Sequence, residues 1–309
     1  MRTPVRDLYD PALGRYGIGA FNVFNAEQVH GVFRGAQKAG TPVLIAVTPV
    51  ARNYIGPEMI GGLVSAAEKI YPSVSFSLHL DHGNYDHCID AINSGEYQSV
   101  MIDASAESFK ENIRITSEVV RRAHEKGIAV EAELGVLSGR EDHINVSPDG
   151  ALYTDPDQAG EFVKSTGCDS LAVAVGTSHG AYKFSGGKGL QIDILAAIGE
   201  RLPGFPLVLH GASGVPPDEV NRINNAGGKI FEYAKGVSGD ELMMAVKQGV
   251  VKINIATDMR LIWTRVHREF FINDPDKFDM VIPGRLYMQE LENFVAGKCN
   301  FLMSGKEIS

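Results

Sequence analysis

The stretch Val74-Ser75-Phe76-Ser77-Leu78-His79-Leu80-Asp81-His82-Gly83 opens apolar, turns polar at its end and closes on glycine. An apolar run of this length suits a strand covered on both faces. The residues that follow, 85–93, carry apolar side chains at helical steps. The same unit recurs along the chain. Strand-like runs cover 17–23, 42–47, 74–80, 99–102, 129–134, 170–175, 206–209 and 250–255, and helical segments cover 26–39, 58–70, 85–93, 109–126, 156–165, 191–202, 217–225 and 259–271. Alternation of this kind predicts an α/β fold with a parallel sheet, and eight units predict closure into a (β/α)8 TIM barrel. An open doubly wound sheet would want a Gly-rich phosphate turn after the first strand, and Gly17-Ile18-Gly19-Ala20-Phe21-Asn22 is followed by no third glycine.

The length of 309 residues fits one such barrel, so a single domain over 1–309 is expected, with an insertion near 227–249 and a helical extension at the carboxyl end. Residues 273–285 read as loop and 286–298 as a final helix. The net charge of −9 is scattered along the chain, which speaks against bulk attraction to nucleic acid or to a membrane surface. Any phosphate must then be held by a local site. The three cysteines make no CxxC pair, there is no apolar leader, and no long uncharged apolar window appears; a cytoplasmic protein is expected.

Three histidines occupy equivalent places: His82, His179 and His210 each follow an apolar run and precede glycine. In a parallel barrel all strands open at their carboxyl ends onto one face, so these imidazoles can converge. Three neutral imidazoles with one open position make a catalytic zinc site. A lone strand-end histidine is more often a hydrogen-bonded structural residue, but three in matching positions reverse that reading. His30, His124, His267 and His143 are expected to be solvated, and His79 to be a packed barrel residue. Asp81 beside His82 suits either support of a metal ligand or proton transfer. Glu131 and Glu133 share a face of one strand, so a cation or a proton is needed between them, and one or both should face the metal region.

Phosphate recognition without a basic surface needs backbone amides and a local cation. Gly211-Ala212-Ser213-Gly214, Gly180-Ala181-Tyr182-Lys183 and Asn254-Ile255-Ala256-Thr257-Asp258 each offer donors just after a strand, the last where a helix begins. Lys252, inside a strand, would be the candidate for a Schiff-base nucleophile, but that reading leaves the three histidines unexplained.

The ordered set Leu80-Asp81-His82-Gly83, Met101-Ile102-Asp103-Ala104-Ser105, Glu131-Ala132-Glu133-Leu134-Gly135, Gly176-Thr177-Ser178-His179-Gly180, Leu209-His210-Gly211-Ala212-Ser213-Gly214 and Lys252-Ile253-Asn254-Ile255-Ala256-Thr257-Asp258 resembles the class II fructose-bisphosphate aldolases and their tagatose-bisphosphate relatives. The likeness runs from Gly19 to Asp258. It implies zinc on His82, His179 and His210 with Glu133 as an alternative or nearby ligand, Asp81 exchanging the proton of the C4 hydroxyl, and Glu141 moving the proton at the dihydroxyacetone phosphate carbon. It further implies that Gly180, Lys183, Gly211, Ser213 and Thr257 surround a phosphate, with Asn254 at the enediolate, a monovalent cation (Na+ or K+) nearby, and a homodimer or homotetramer. The implied reaction is reversible cleavage of a ketose 1,6-bisphosphate, fructose 1,6-bisphosphate foremost, to dihydroxyacetone phosphate and an aldehyde such as glyceraldehyde 3-phosphate.

Two departures bear on substrate. Ala256 stands where many fructose-bisphosphate enzymes of the group have Asp, and Asp279-Met280-Val281 stands where they have Asp-Pro-Arg. Arg260, Arg285, Arg52 or Thr48 would have to replace the missing arginine, with Asp258 beside them in the same loop cluster. Aldolases for tagatose 1,6-bisphosphate or for a ketose 1-phosphate without the second phosphate are the alternatives, and a metal-binding scaffold without catalysis is the remote one.

Overall fold

The structure, a computed structural model, describes residues 1–141, 144–146, 152–180, 189–230 and 236–305; of residues 138, 140, 141, 144–146 and 179 the backbone alone is described. In chain order the strands are β1 (Ile18–Asn22), β2 (Val43–Val47), β3 (Phe76–Gly83), β4 (Ser99–Ile102), β5 (Ala129–Leu134), β6 (Ser138–Glu141), β7 (Ile144–Val146), β8 (Ser170–Val173), β9 (Ser178–His179), β10 (Leu207–Leu209) and β11 (Val250–Ile255). All but β6, β7 and β9 close one parallel barrel in the order β1-β11-β10-β8-β5-β4-β3-β2. The helices are α1 (Val5–Ala12), α2 (Ala26–Ala39), α3 (Pro49–Ile55), α4 (Pro57–Ile70), α5 (Tyr85–Ser94), α6 (Phe109–His124), α7 (Pro156–Thr166), α8 (Ile192–Arg201), α9 (Pro217–Asn225), α10 (Gly239–Lys247), α11 (Thr257–Asn273) and α12 (Val281–Ser304). The expected (β/α)8 barrel is the observed one.

Local chemistry sets the boundaries. Asn25 caps α2 by accepting from the Gln28 amide, and Gly40 ends it in the left-handed region at φ 66. Asn84 and His87 form a reciprocal capping box at the start of α5. Asp155 and Pro156 start α7, and Gly167 stops it.

Several elements depart from expectation. α1 was not anticipated; its Val5, Leu8, Tyr9 and Ala12 recur at helical steps and pack against Ile18, Ala20, Leu44 and Ala46, closing the amino-terminal end of the barrel. α3 is likewise additional, begun by Thr48, which caps it, and Pro49. α12 starts at Val281 instead of 286, because Pro283 lies in its first turn, where proline is tolerated. The stretch 138–141, outside the strand-like runs of the sequence, is β6, paired antiparallel with β7 and parallel with β9. Helix α12 lies close over α2, where Gly31 and Gly35 leave room: a Cβ on Gly35 would stand 2.6 Å from the Cβ of Val295.

Candidate active site

Strict alternation along β3 would send Asp81 and His82 to opposite faces. β3 and β4 pair in step at His79↔Ser99 and Leu80↔Val100, but the register shifts so that Gly83 meets Ile102. His82 sits at the shift with φ 49, a region that non-glycine residues seldom occupy and that marks strain at functional positions. The bulge turns both side chains to one place. Ligand-bearing atoms of Asp81, His82 and His210 lie within 4.8 Å of one another, and so do those of His82, Asp103 and Glu133. The His82 and His210 rings are 4.5 Å apart at their centroids.

Each group is held from behind. The Asp81 carboxylate accepts from Asn22 Nδ2 at 2.8 Å and from Asn254 Nδ2 at 2.9 Å. His82 Nδ1 meets Asp103 Oδ2 at 3.0 Å, and Asp103 in turn accepts from the Ser105 hydroxyl at 2.7 Å. His210 Nε2 meets Glu131 Oε1 at 2.8 Å. An ionised carboxylate only accepts, so the proton rests on Nδ1 of His82 and on Nε2 of His210.

Charge at this cluster is unbalanced. Burial works against a charged His82, yet its hydrogen bond to Asp103 and the nearby Asp81 and Glu133 carboxyls hold the imidazole well above its usual range. Burial, with Asp103 adding to it, pushes the Glu133 carboxyl well up. Its Oε2 is buried and has no hydrogen-bond partner among the described residues. Burial would raise Asp81 too, but the Lys252 ammonium and the imidazoles hold it well below the carboxylate range. The spot attracts positive charge, and the mixed imidazole and carboxylate donors suit a divalent cation.

Beneath this cluster lies a second, closed one. Lys252, fully enclosed in β11, donates to Glu131 Oε1 at 3.0 Å and Oε2 at 2.8 Å and to His79 Nε2 at 3.1 Å. His79 Nδ1 meets the Ser99 hydroxyl at 2.8 Å. Burial and Lys252 lower His79 to about 3, so its ring is neutral. Burial is outweighed by Lys252 at Glu131, which is lowered to about 2. Lys252 thus spends its Nζ on a carboxylate and an imidazole, unlike the free amine that a Schiff base would require.

The loop after β10 is clamped at its rim. Ser213 Oγ accepts from the Thr257 amide at 3.2 Å, serving as the cap that α11 lacks within its own sequence. Asp258 directs its carboxylate to the amides of Gly214 at 2.9 Å and Val215 at 2.8 Å, and Val215 is held at φ 47. Gly211 sits at φ 61 against the backbone of β9: a Cβ there would stand 2.6 Å from the Ser178 carbonyl oxygen. That contact brings the backbone of Ser178 and His179 against the His210 loop.

Comparison with known proteins agrees with this arrangement. The profile of the family described as "Fructose-bisphosphate aldolase class-II" matches residues 4–306. The chain belongs to the class II fructose-bisphosphate aldolases. It is therefore a carbon–carbon lyase, of a family that depends on a metal. It is 39% identical over 297 residues to the fructose-bisphosphate aldolase of Helicobacter pylori strain J99, covering 95% of each chain. It is 43% identical over 265 residues to that of Thermus caldophilus, covering 85% of each. Among solved structures, the YdjI aldolase of Escherichia coli K12 superposes with a TM-score of 0.79 at 31% identity, covering 98% of each chain.

In this aldolase the structure gathers Asp81, His82, His210, Glu133 and Asn254 at the carboxyl ends of the strands, with Gly211 and Ser213 in the adjoining loop and Thr257 and Asp258 in the first turn of α11. Gly180 is described just after β9; the side chains of His179 and Glu141, and all of Lys183, lie outside the described residues. Asp258 faces the loop amides, Thr48 caps α3, and Arg260 lies over the Phe24 ring at 5.0 Å. Arg52 is turned to Asp90 and lies over Tyr97. His30, expected in solvent, bonds the Tyr71 hydroxyl at 2.9 Å. Asp103 and Asn22 gained no role from sequence reasoning; their one signal was a polar residue at the end of a strand run, the placement that singled out His82 and His210.

Proposed function

We propose that this aldolase cleaves a ketose 1,6-bisphosphate, fructose 1,6-bisphosphate foremost, to dihydroxyacetone phosphate and glyceraldehyde 3-phosphate with the help of zinc. The observation that carries the reading is Asp81: an ionised carboxylate, held by two asparagine amides, within 4.8 Å of the ligand atoms of His82 and His210. His82, His179 and His210 would hold the metal, with Glu133 beside them. The approach of Gly211 to Ser178 supports including His179. When bound, the cation supplies Lewis acidity at the C2 carbonyl.

The chain's own residues do the rest. Asp81 takes the proton of the C4 hydroxyl as the C3–C4 bond breaks; the electron pair moves toward the C2 oxygen and the aldehyde leaves. Glu141 then delivers a proton to C3. The side-chain oxygens of Asn22 and Asn254 are buried without a hydrogen-bond partner among the described residues and suit substrate hydroxyls. Ser213 keeps its hydroxyl hydrogen for a phosphate oxygen, since its oxygen already accepts the Thr257 amide. Gly180, Lys183, Gly211 and Thr257 complete the pocket for that phosphate, Asp258 shapes it, and a monovalent cation nearby belongs to the same reading. Arg260 and Thr48 are the groups assigned to the second phosphate.

Chelation of the purified protein tests this: activity should vanish, return with zinc, and leave no borohydride-trapped adduct. Full activity in chelator with a reduced lysine adduct would end the reading. Ala256 and the Asp279-Met280-Val281 loop favour a second one, in which the far end of the substrate has no phosphate or the tagatose configuration. A screen of dihydroxyacetone phosphate against phosphorylated and unphosphorylated aldehydes separates them. A scaffold without catalysis would fail to exchange a proton of dihydroxyacetone phosphate into solvent.

No described helix is long and apolar enough to cross a membrane. The three cysteines are unpaired and buried, which supports the cytoplasm as the compartment. Exposed Phe271, Ile272, Phe278, Met280 and Leu286 support a homo-oligomer, to be checked by light scattering.

A further inference from the structure

We propose that Lys252 and Glu131 are positioning residues for the metal: a buried ion pair that fixes the ring of His210 and leaves its Nδ1 as the ligating nitrogen. The proposal rests on the reading of His210 as a metal ligand.

The geometry has three parts. Glu131 Oε1 receives His210 Nε2 at 2.8 Å, which sets the tautomer and the tilt of the ring. Both oxygens of the same carboxylate receive Lys252 Nζ, at 3.0 and 2.8 Å. Lys252 is in turn steered by His79, whose other nitrogen is occupied by Ser99, so the Lys252 and His79 donors each have an assigned acceptor. All these groups are buried in the barrel, on β3, β4, β5 and β11 and, for His210, just after β10. Two contacts to Lys252 fix the Glu131 carboxylate in place, and a fixed acceptor fixes the ring that donates to it. The neutral pair also fills space that apolar side chains of similar volume could fill, so packing alone does not require it.

Metal binding by the full-length protein separates this role from a structural one. Zinc affinity is measured by competition with a chromophoric chelator, and the ligand field by the visible spectrum of the cobalt(II)-loaded protein, for wild type, Lys252→Met and the double variant Lys252→Met with Glu131→Leu. Loss of an outer-shell partner of this kind lowers metal affinity by about 10- to 100-fold. The single variant should bind zinc that much more weakly. The double variant, free of this buried ion pair, should regain the wild-type melting temperature yet keep the weak affinity and an altered cobalt spectrum. If its affinity and spectrum return together with its stability, the pair is structural only and the proposal is overturned. If the single variant does not fold, the double variant decides alone. Wild-type protein that binds no zinc overturns the reading of His210 itself, whereas wild-type affinity in every variant overturns only the positioning role.

Discussion

The barrel interior holds two polar clusters one above the other, and they are finished differently. In the lower one Lys252, Glu131, His79 and Ser99 satisfy one another, and charge is balanced by a single ion pair. In the upper one Asp81, His82, Asp103, Glu133 and His210 crowd carboxylates around imidazoles, and Glu133 Oε2, Asn22 Oδ1 and Asn254 Oδ1 have no hydrogen-bond partner among the described residues. Leaving buried polar atoms unmatched costs stability that folding does not recover, so they mark places kept for something else. A closed network serves as footing, and an open one serves chemistry.

Substitutions can break that contrast. The largest expected effect is Asp81→Asn: kcat should fall by about 10²- to 10⁴-fold, the span of a lost acid–base group, with the melting temperature little changed. Retained turnover would show that the upper cluster is mere structure. Lys252→Ala should act in the opposite sense on stability, costing roughly 3–5 kcal/mol because it strands a buried carboxylate; denaturant unfolding reads this directly, and a cost below about 1 kcal/mol would erase the distinction. Glu133→Gln, near-isosteric with a carboxyl whose titration burial pushes well up, should alter stability by no more than about 1 kcal/mol while weakening zinc binding, as the chelator competition would report. Ser213→Ala should raise KM for the phosphorylated substrate by up to about tenfold, the worth of one hydrogen bond, and leave kcat in place. Ser99→Ala is the smallest: about 1 kcal/mol of stability and no change in steady-state kinetics.

How much of this the sequence disclosed follows from the physics of each part. The barrel strands were legible because parallel strands covered on both faces are written as unbroken apolar runs, and seven of the eight barrel strands begin and end within a residue or two of their expected limits. The meeting of His82 and His210 was legible because a barrel gathers all its carboxyl termini at one face. The bulge at His82 was not, since register is a property of two strands and β3 alone does not state where β4 slips. Nor were β6, β7 and β9: short polar segments carry no period, and their pairing depends on residues about forty positions apart. Glu131 and Glu133 looked equivalent in sequence because both point inward; only the depth of Lys252 on the opposite strand assigns one to the footing and the other to the rim.

One consequence of the slip in β3 is mechanical. Asp81 and His82 are joined by a single peptide bond, so the proposed proton carrier and its neighbouring ligand are tethered covalently as well as by the fold. When the mouth widens or narrows with thermal breathing, this couple travels as one piece, and the spacing that matters most is insulated from motions elsewhere in the wall.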